Sequence, residues 1–433
     1  MSSEVPLSLR AYGAATGALR PLADALLQRR LRAGKEDPDR IGERKGIAGR
    51  PRPEGPLVWL HGASVGESLS ILPLIDALAA RFPAWSFLVT TGTVTSAGLM
   101  GERLPPRALH QYAPVDQPTY VARFLDHWRP DAALFVESEL WPGLIGATRA
   151  RGVPMALVNG RMSPRSFEGW KRRPGAARAL LDAFCVLTAQ DEANAERLRA
   201  LSGRTVHLAG NLKHAAPALP VNASDLHRFS EAVSGRPAWL AASTHPGEEE
   251  AVLSAHKQNQ TALPGLLTLL APRHPARGDA VAALIEATGL PYGRRSAGDL
   301  PEAHHAVYLA DSLGELGMFY RLADVAFIGG SLSETGGHNP LEAARLGCAI
   351  VTGPHLFNFS DIYRDMRQAG GSALVRNDRD LAASLTRLLR DARTRDELSR
   401  AARDWAEGAA RSVLEDVIAV LSPVLTPLTR DAA

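Results

Sequence analysis

Short apolar runs alternate along the chain with longer stretches in which hydrophobic positions recur every three or four residues. The first run, "PLVWLHG", precedes an amphipathic stretch through Leu69, Leu72, Ile75 and Leu78. Further runs in this half are "WSFLVTTGT", "DAALFVES", "VPMALVNGR", "AFCVLTAQ" and "TVHLAGN". Runs of strand length that are separated by about 10–20 residues predict βαβ units and a parallel sheet.

The same alternation begins again after "GNLKHAAPALPVNAS", a stretch rich in Pro, Ala and Asn. Its runs are "AWLAAST", "GLLTLLAPRHP", "HAVYLAD", "DVAFIGGS" and "CAIVTGP". We therefore predict a first Rossmann-like domain over residues 46–218 and a second over 219–405. A helical tract is predicted from about Asp378 to Leu421. Its last part belongs to a C-terminal helix, 406–433, which is expected to pack back on the first domain. Two such α/β domains leave a cleft that is faced by the carboxyl ends of their strands.

Residues 1–45 form a basic, amphipathic segment. Six basic residues and two acidic ones give residues 1–35 a charge of +4, whereas the whole 433-residue chain carries +3. Pro21 is expected to divide a helix whose apolar positions share one side: Tyr12, Ala15, Leu19, Leu22 and Leu26. The segment either packs as a surface helix or lies in the interface of an anionic membrane, and its charge favours the membrane. We find no signal-peptide pattern and no apolar stretch long enough to span a bilayer.

Two cysteines, Cys185 and Cys348, lie far apart in apolar runs and predict buried thiols in a reducing, cytoplasmic compartment. The sequence has neither a zinc-type Cys/His spacing nor the phosphate-binding motif G-x-x-x-x-G-K-[ST]. No G-x-G-x-x-G follows a strand. These absences disfavour P-loop and ordinary dinucleotide-binding proteins. We expect no metal, no cofactor and no nucleic-acid partner.

Carboxylates follow two strands of the first domain. Glu67 comes after Gly62 and Gly66 at the expected start of a helix, where it either stabilises the helix dipole or acts as a general base. Glu137 and Glu139 follow the strand "DAALFV" and serve either as helix caps or as groups that hold a cation or a substrate hydroxyl.

Basic residues also follow strands of the first domain. One cluster is either a solvated face or a site for phosphate, phospholipid or another anionic substrate, and it comprises Arg161, Arg165, Lys171, Arg172 and Arg173. Lys213, in "GNLKHAA", is either exposed or placed to offset negative charge.

Three segments after strands of the second domain indicate a nucleotide site. Arg273 and His274 follow one strand, and a guanidinium suits phosphate oxygens. Gly314, Glu315 and Leu316 stand at a predicted helix start. A second helix is expected to open near Asn339 and Glu342, after two pairs of glycines.

Taken together, the motifs resemble the 3-deoxy-D-manno-octulosonic acid (Kdo) transferases, which act on the lipid A precursor. The matching pieces occur in the family's order from about residue 30 to 420: "HGASVGE", "ESELWPGL", "NGRMSPRSF", "AQDEANAERL", "GNLKH", "APRHP" and "SLSETGGHNPLEAA". The resemblance implies a GT-B glycosyltransferase fold, with two Rossmann-like domains facing a central cleft.

The resemblance also implies roles for particular residues. Glu67 corresponds to the catalytic base, and Glu137 and Lys213 to groups that support the transition state. The residues that correspond to the family's binding site for the CMP moiety are Arg273, His274, Gly314, Glu315, Leu316, Asn339, Pro340, Leu341 and Glu342. Many members have a more hydrophobic amino terminus, whereas Arg10 and Arg20 interrupt this one, so we expect peripheral attachment to the cytoplasmic face of the inner membrane.

The expected reaction is transfer of Kdo from CMP-Kdo to a hydroxyl of a lipid IVA-type acceptor, with inversion, in lipopolysaccharide biosynthesis. Two alternatives stay open. A nucleotide-sugar epimerase has the same fold but needs no lipid acceptor. A non-catalytic nucleotide-sugar-binding module needs a donor pocket but no carboxylate at Glu67.

Overall fold

The computed structural model describes residues 6–138 and 140–430, and the chain divides into two compact units. Unit 1 is formed by Met1–Pro217 together with Ala410–Ala433, and unit 2 by Ala218–Ala409. The sequence had suggested a division after residue 218 and a last helix from residue 406. In the structure the chain leaves unit 1 after Pro217 and returns to it at Ala410.

Unit 1 is built on one parallel sheet of seven strands in the order β3-β2-β1-β4-β5-β6-β7. Its elements before Pro217 are α1 (Leu7–Ala18), α2 (Arg20–Arg32), α3 (Ile41–Arg44), β1 (Leu57–His61), α4 (Val65–Arg81), β2 (Ser86–Thr91), α5 (Val94–Arg103), β3 (Ala108–Tyr112), α6 (Pro118–Trp128), β4 (Ala132–Val136), α7 (Pro142–Ala150), β5 (Met155–Gly160), α8 (Pro164–Lys171), α9 (Pro174–Leu181), β6 (Val186–Ala189), α10 (Glu192–Ser202) and β7 (His207–Leu208). A 3₁₀ turn at Leu212–Ala215 follows.

Unit 2 repeats this architecture, with a second parallel sheet in the order β10-β11-β9-β8-β12-β13-β14. Its elements are α11 (Ala223–Val233), β8 (Ala238–Thr244), α12 (Glu248–Asn259), β9 (Leu267–Pro272), α13 (Gly278–Thr288), β10 (Tyr292–Arg294), β11 (Val307–Leu309), α14 (Leu316–Arg321), β12 (Val325–Ile328), α15 (Leu341–Arg345), β13 (Ala349–Thr352), α16 (Ser360–Gln368), β14 (Ser372–Leu374) and α17 (Asp378–Arg390). The chain ends with α18 (Ala392–Val420) and α19 (Ser422–Arg430).

Each sheet is covered on both faces at its centre, which explains why its central strands are largely apolar. Along β1, Val58 and Leu60 belong to one hydrophobic core, while Leu57 and Trp59 belong to the core on the opposite face. Successive side chains of a strand point to opposite faces, so a strand between two layers of helices has no polar side. In both units the strand order reverses direction beside the first strand, β1 or β8, where ligands of open α/β sheets bind.

The helix α18 contributes to the cores of both units at different positions. Ala402 and Ala406 are buried in a core of unit 2. Val413 and Val417 are buried in a core of unit 1, which also contains Leu421. The predicted helical tract is therefore present, but it breaks at Asp391, between α17 and α18.

Three short edge elements were missed, and one cysteine was placed wrongly. The strands β3, β10 and β14 are short or mixed in polarity, and β3 reads "ALHQY". Cys348 is buried as expected, whereas Cys185 is exposed. Cys185 stands just before the first residue of β6, so its side chain lies at the amino end of the strand and not inside the sheet.

The amino-terminal segment forms two helices that meet at Leu19, and Pro21 occupies the first turn of the second. The helix pair is held on unit 1 by the Tyr12 hydroxyl, which donates to Asp116 at 2.8 Å, and by Lys45, which pairs with Asp24 at 2.6 Å. The side chains of Leu19, Leu22 and Leu26 are 52%, 63% and 54% exposed. Within residues 6–138 and 140–430, no helix combines the length and apolarity that a bilayer span requires.

Candidate active site

Glu67 lies in the first turn of α4, as the sequence predicted, and its carboxylate is held by local hydrogen bonds. The backbone N–H of Ala63 donates to Oε2 at 2.7 Å, and the hydroxyl of Ser64 donates to Oε1 at 2.9 Å. Ser64 is also the N-cap of α4, and its hydroxyl accepts the N–H of Glu67 at 3.3 Å. A Cβ atom on Gly62 would lie 3.2 Å from Cβ of Glu67, so the glycine gives the glutamate its room. A carboxylate offers about four lone-pair directions, so an oxygen that already accepts one hydrogen bond can accept another.

Glu137 and Lys213 form an ion pair at the end of β4. Glu137 is 4% exposed, and its Oε1 lies 2.9 Å from Nζ of Lys213. The Lys213 side chain remains 42% exposed, so the ammonium contacts both the buried carboxylate and solvent. Arg161 lies further away, with its guanidinium 3.9 Å from Oε2 of Glu137.

The fold brings Glu67, Glu137 and Lys213 to one edge of the sheet of unit 1. Glu67 follows β1 and Glu137 follows β4, and these two strands are neighbours in the sheet. The 3₁₀ turn that carries Lys213 packs against α4, the helix that has Glu67 in its first turn. The three residues therefore lie at the point where the strand order reverses.

The other charged candidates of unit 1 are placed differently. All five basic residues of the predicted cluster are exposed on or beside α8, where Lys171 pairs with Glu168 at 3.3 Å. Of these five, Arg161 is the one paired with Glu137, while Glu139 lies outside the described residues.

Unit 2 has a pocket of about 390 Å³ at the carboxyl ends of β8, β9 and β11 and in the loop after β12. The predicted residues that line it are Arg273, Gly314, Leu316, Asn339 and Glu342. Burial raises the pKa of the Glu342 carboxyl, while Arg273 and Arg345 act in the opposite direction. Hydrogen-bond donors such as ribose hydroxyls would favour the charged form of this carboxylate.

The four other predicted binding residues do not line this pocket. The Glu315 carboxylate is paired with the guanidinium of Arg295, which lowers the pKa of Glu315. The His274 ring packs edge-on against His245, with ring centres 6.1 Å apart. Pro340 is the N-cap of α15, and Leu341 is buried in the core. The helices α14 and α15 have only six and five residues, and the anion site expected at their amino ends stays a prediction.

Family models and known relatives match both halves of the chain. The family model of 3-deoxy-D-manno-octulosonic acid transferases matches residues 39–216, and that of group 1 glycosyl transferases matches 295–405. A 3-deoxy-D-manno-octulosonic acid transferase of Rickettsia bellii is 36% identical over 88% of this chain and 91% of its own length. One of Bordetella pertussis is 37% identical over 93% and 98%.

The chain belongs to the Kdo transferase family. It is a glycosyltransferase with the GT-B fold, as the sequence motifs predicted. The crystal structure of UDP-GlcNAc 2-epimerase from Neisseria meningitidis bound to UDP-GlcNAc is 14% identical, with a TM-score of 0.55, over 84% of this chain and 99% of that chain. At this identity the likeness concerns the fold alone, so it does not favour the epimerase alternative.

Two polar residues of this Kdo transferase family member were missed by the sequence analysis. Glu248, in the first turn of α12, is 1% exposed and accepts hydrogen bonds from the backbone N–H groups of five residues. Four of these bonds are short, at 2.7–2.9 Å, and come from His245, Gly330, Ser331 and Leu332, while the fifth comes from Ser333 at 3.4 Å. The carboxylate thus joins the loop after β8 to the loop after β12, and the second of these contributes His338 and Asn339 to the pocket of unit 2. In the sequence, "HPGEEE" indicates only acidic residues at a helix start.

Asn159, near the end of β5, is the second missed residue. Its backbone has a φ of 57°, in the left-handed region, and its side chain is 1% exposed. Oδ1 accepts a hydrogen bond from the N–H of Leu212 at 3.1 Å, which fixes the turn that carries Lys213. Glu137, next to Asn159 across the β4–β5 pair, also has a φ of 57°. Asn is among the few residues that tolerate this conformation, and "NG" in the motif is a signal that the sequence analysis did not use.

We expect Asn159→Gly to lower kcat by about ten- to a hundredfold, because small displacements of a positioned group reduce rates on this scale. Glycine keeps the left-handed backbone and removes only the side chain that holds Leu212. The matched control is Arg129→Gly, since Arg129 also has a positive φ, 40°, but lies at the end of α6. Steady-state kinetics on both variants test this, and equal rates in the two would show that Asn159 does not position Lys213.

One group of described residues has the spacing of metal ligands. Glu302, His304 and His305 have ligand atoms within 4.8 Å of one another, and Glu302 and His304 are exposed. Nδ1 of His305 is engaged, since it accepts the N–H of Glu302 at 3.0 Å. The group is far in sequence from the predicted catalytic residues, and the expectation that catalysis needs no metal stays a prediction.

Proposed function

We propose that the protein transfers Kdo from CMP-Kdo to a hydroxyl of a lipid IVA-type precursor of lipid A, with inversion at the anomeric carbon. The observation that carries the proposal is the placement of Glu67 in the first turn of α4, against which the turn bearing Lys213 packs, with Lys213 2.9 Å from the buried Glu137. Family membership supports the choice of sugar. Unit 1 supplies the base and the acceptor site, and unit 2 holds the donor.

In the proposed reaction, Glu67 accepts the proton of the acceptor hydroxyl as its oxygen forms a bond to the anomeric carbon of Kdo. The bond between that carbon and the phosphate oxygen breaks on the opposite side, and CMP leaves with the bonding electrons. A single displacement of this kind inverts the anomeric configuration, as in inverting glycosidases. Lys213 and Glu137 act at the transition state: the ammonium offsets negative charge, and the buried carboxylate fixes the ammonium.

The pocket of unit 2 has the chemistry that a nucleotide requires. Arg273 offers a fork of N–H donors to phosphate oxygens. Two other side chains of the lining suit ribose hydroxyls. The Glu342 carboxylate offers hydrogen-bond acceptors, and the Asn339 amide offers an acceptor and a donor. CMP is a good leaving group, so the proposed mechanism needs no metal ion.

We further propose that α1 and α2 attach the protein to an anionic membrane, at the cytoplasmic face of the inner membrane, where the lipid acceptor resides. The support is an exposed stripe of leucines, Leu19, Leu22 and Leu26, with exposed basic residues on the same two helices. These basic residues are Arg10, Arg20, Arg29 and Arg32. Apolar insertion and attraction to anionic lipids together give an amphipathic helix its affinity for the interface.

Replacing Leu19, Leu22 and Leu26 by serine is expected to weaken binding to vesicles of phosphatidylglycerol and phosphatidylethanolamine by at least about tenfold. A leucine contributes about 1.5–3 kcal/mol when fully transferred from water, so even partial insertion of three gives a loss of this size. Vesicle co-sedimentation measures it. The control is Leu208→Ser, at another leucine of unit 1 that is 51% exposed. Unchanged binding of the triple variant would contradict the membrane proposal.

Release of CMP from freshly prepared CMP-Kdo, with and without a tetra-acylated disaccharide precursor of lipid A, tests the proposed reaction. A transferase releases CMP only when the acceptor is present, and the lipid product gains one Kdo mass. An epimerase would act on its nucleotide sugar without acceptor. A binding module would retain CMP affinity and show no turnover with any acceptor.

A further inference from the structure

Two histidines outside the predicted set are joined at the donor pocket of unit 2. His338 lines the pocket, whereas His245 does not. Their Nε2 atoms are 2.8 Å apart, and the two rings are nearly parallel, with an interplanar angle of 12°. His245 follows β8 directly, and His338 belongs to the loop between β12 and α15. The contact therefore joins two loops that follow neighbouring strands.

Hydrogen bonds hold the backbone of both histidines in place. The N–H of His245 donates to Glu248 at 2.9 Å, and the N–H of His338 donates to the carbonyl of Gly329 at 3.2 Å. The carbonyl of His338 accepts from the hydroxyl of Tyr363 at 2.7 Å. A Cβ atom on Gly330 would lie 3.2 Å from Cδ2 of His338 and 3.3 Å from its Nε2, so a glycine gives the ring its place. The ring of His338 is therefore pre-positioned at the pocket wall.

The contact between the rings decides which nitrogen of His338 is left for a ligand. Because Nε2 is engaged with His245, the remaining nitrogen is Nδ1. A neutral imidazole carries one proton, so one ring must donate from Nε2 and the other must accept. When His245 donates, His338 carries its proton on Nδ1 and offers an N–H donor. When His338 donates, its Nδ1 offers only a lone pair, which repels an anion.

The charged and titratable neighbours favour neutral rings before a ligand arrives. Burial lowers the pKa of His338 to about 4, and His245, Arg273 and His274 act in the same direction. Burial also lowers the pKa of His245, with His274 and Arg277 in the same direction and with Glu248 and Glu249 opposing. Both rings are thus neutral near pH 7, the state in which the tautomer argument holds.

We propose that His338 binds the phosphate of the donor nucleotide through its Nδ1–H, in a tautomer that His245 fixes by donating its own Nε2–H to Nε2 of His338. His338 is then a ligand-contacting residue, and His245 is a positioning residue behind it. His338 supplies a neutral N–H donor, and Arg273 supplies a charged one. Both stabilise the negative charge that the phosphate gains as CMP leaves. This inference rests on the proposed assignment of the pocket to the donor.

Two amide variants of His338 separate the roles of its two nitrogens. The amide of asparagine reaches the position of Nδ1 but not that of Nε2, whereas the longer glutamine reaches towards Nε2 and leaves Nδ1 without a substitute. His338→Gln is expected to weaken CMP binding by about tenfold, the loss of one hydrogen bond to a charged group. His338→Asn is expected to stay within about threefold of the parent protein.

Cytidine, which lacks the phosphate, is the reference ligand, and isothermal titration calorimetry measures both affinities. Cytidine binding should change less than about twofold in either variant, because the proposed contact is to phosphate alone. His245→Gln should retain CMP binding and His245→Phe should lose about as much as His338→Gln. The control is His304→Gln, at an exposed histidine of unit 2.

The possible results distinguish this inference from the proposed function. If the parent protein binds CMP no better than cytidine, the pocket does not hold the phosphate, and both proposals about unit 2 are wrong. If the parent prefers CMP but His338→Gln keeps the same ratio of affinities, only the role of His338 is wrong. If a His338 variant loses cytidine as well, the pocket has been disrupted, and the two His245 variants decide, since equal CMP binding in both contradicts the inference.

Discussion

Glu67→Gln is expected to lower the rate of acceptor-dependent CMP release by about 10²–10⁴, the usual contribution of a general base. Glutamine is nearly the same size and can still accept one hydrogen bond, but its amide cannot take the proton of the attacking hydroxyl. The acceptor hydroxyl therefore keeps its proton and rarely attacks the anomeric carbon of the donor. CMP affinity should be unchanged, because the predicted nucleotide pocket belongs to unit 2.

The same variant also tests the structural interpretation of Glu67. In the structure the carboxylate accepts from the N–H of Ala63 and the hydroxyl of Ser64, and loss of such a cap costs about 1 kcal/mol. A variant that is destabilised by this amount but turns over at the parent rate would show that Glu67 only caps α4. Glu102→Gln, at an exposed glutamate of α5, controls for the loss of one negative charge in unit 1.

The second large effect is expected at Glu248, although this residue touches no substrate in the proposal. Its two oxygens accept four short hydrogen bonds and one longer one from backbone N–H groups, and in Glu248→Gln one oxygen is replaced by an NH₂ group that faces at least two of these donors. Buried N–H groups without acceptors cost about 1–3 kcal/mol each, so unit 2 should lose about 3–5 kcal/mol of unfolding free energy. CMP affinity should fall with it, because the loops of His245 and of Gly330 to Leu332 are no longer joined.

Calorimetry distinguishes this loss from a general effect, since a ligand raises the unfolding transition of the unit that binds it. We expect Glu248→Gln to lower the transition that CMP raises and to leave the other unchanged. The matched control is Glu250→Gln, two residues further along the same helix, where the side chain is exposed and a change within about 0.5 kcal/mol is expected. Similar shifts in both variants would mean that the four hydrogen bonds contribute little.

The sequence predicted those parts of the fold that depend on periodicity. The strand β1 and the helix α4 were identified because an apolar run and a stripe at spacings of three and four leave few alternatives. The edge strand β3, "ALHQY", was missed because its stability comes from neighbours that lie elsewhere in the sequence. One is Glu43, whose carboxylate accepts the N–H of Tyr112 at 2.7 Å.

The candidate site followed a similar rule. Glu67, Glu137 and Lys213 stand next to strand ends, so their common edge could be inferred from the order of the elements. The ring contact of His245 with His338 and the four bonds of Glu248 depend on how two loops fold towards each other, and neither loop has a periodic pattern. The left-handed backbone conformation of Asn159 and Glu137 was also not predicted, because residues other than glycine adopt it rarely.

The path of the last helices has a consequence for synthesis of the protein on the ribosome. The core of unit 1 contains Leu212, from the turn before Lys213, together with Val413, Val417 and Leu425 from α18 and α19. The unit that leaves the ribosome first is thus completed last, after all of unit 2 has been made. A nascent chain that stops before residue 410 would carry every predicted catalytic residue but would lack the side chains that complete the core of unit 1. Unit 1 therefore stays incomplete, and accessible to chaperones, for roughly half of the time that translation takes.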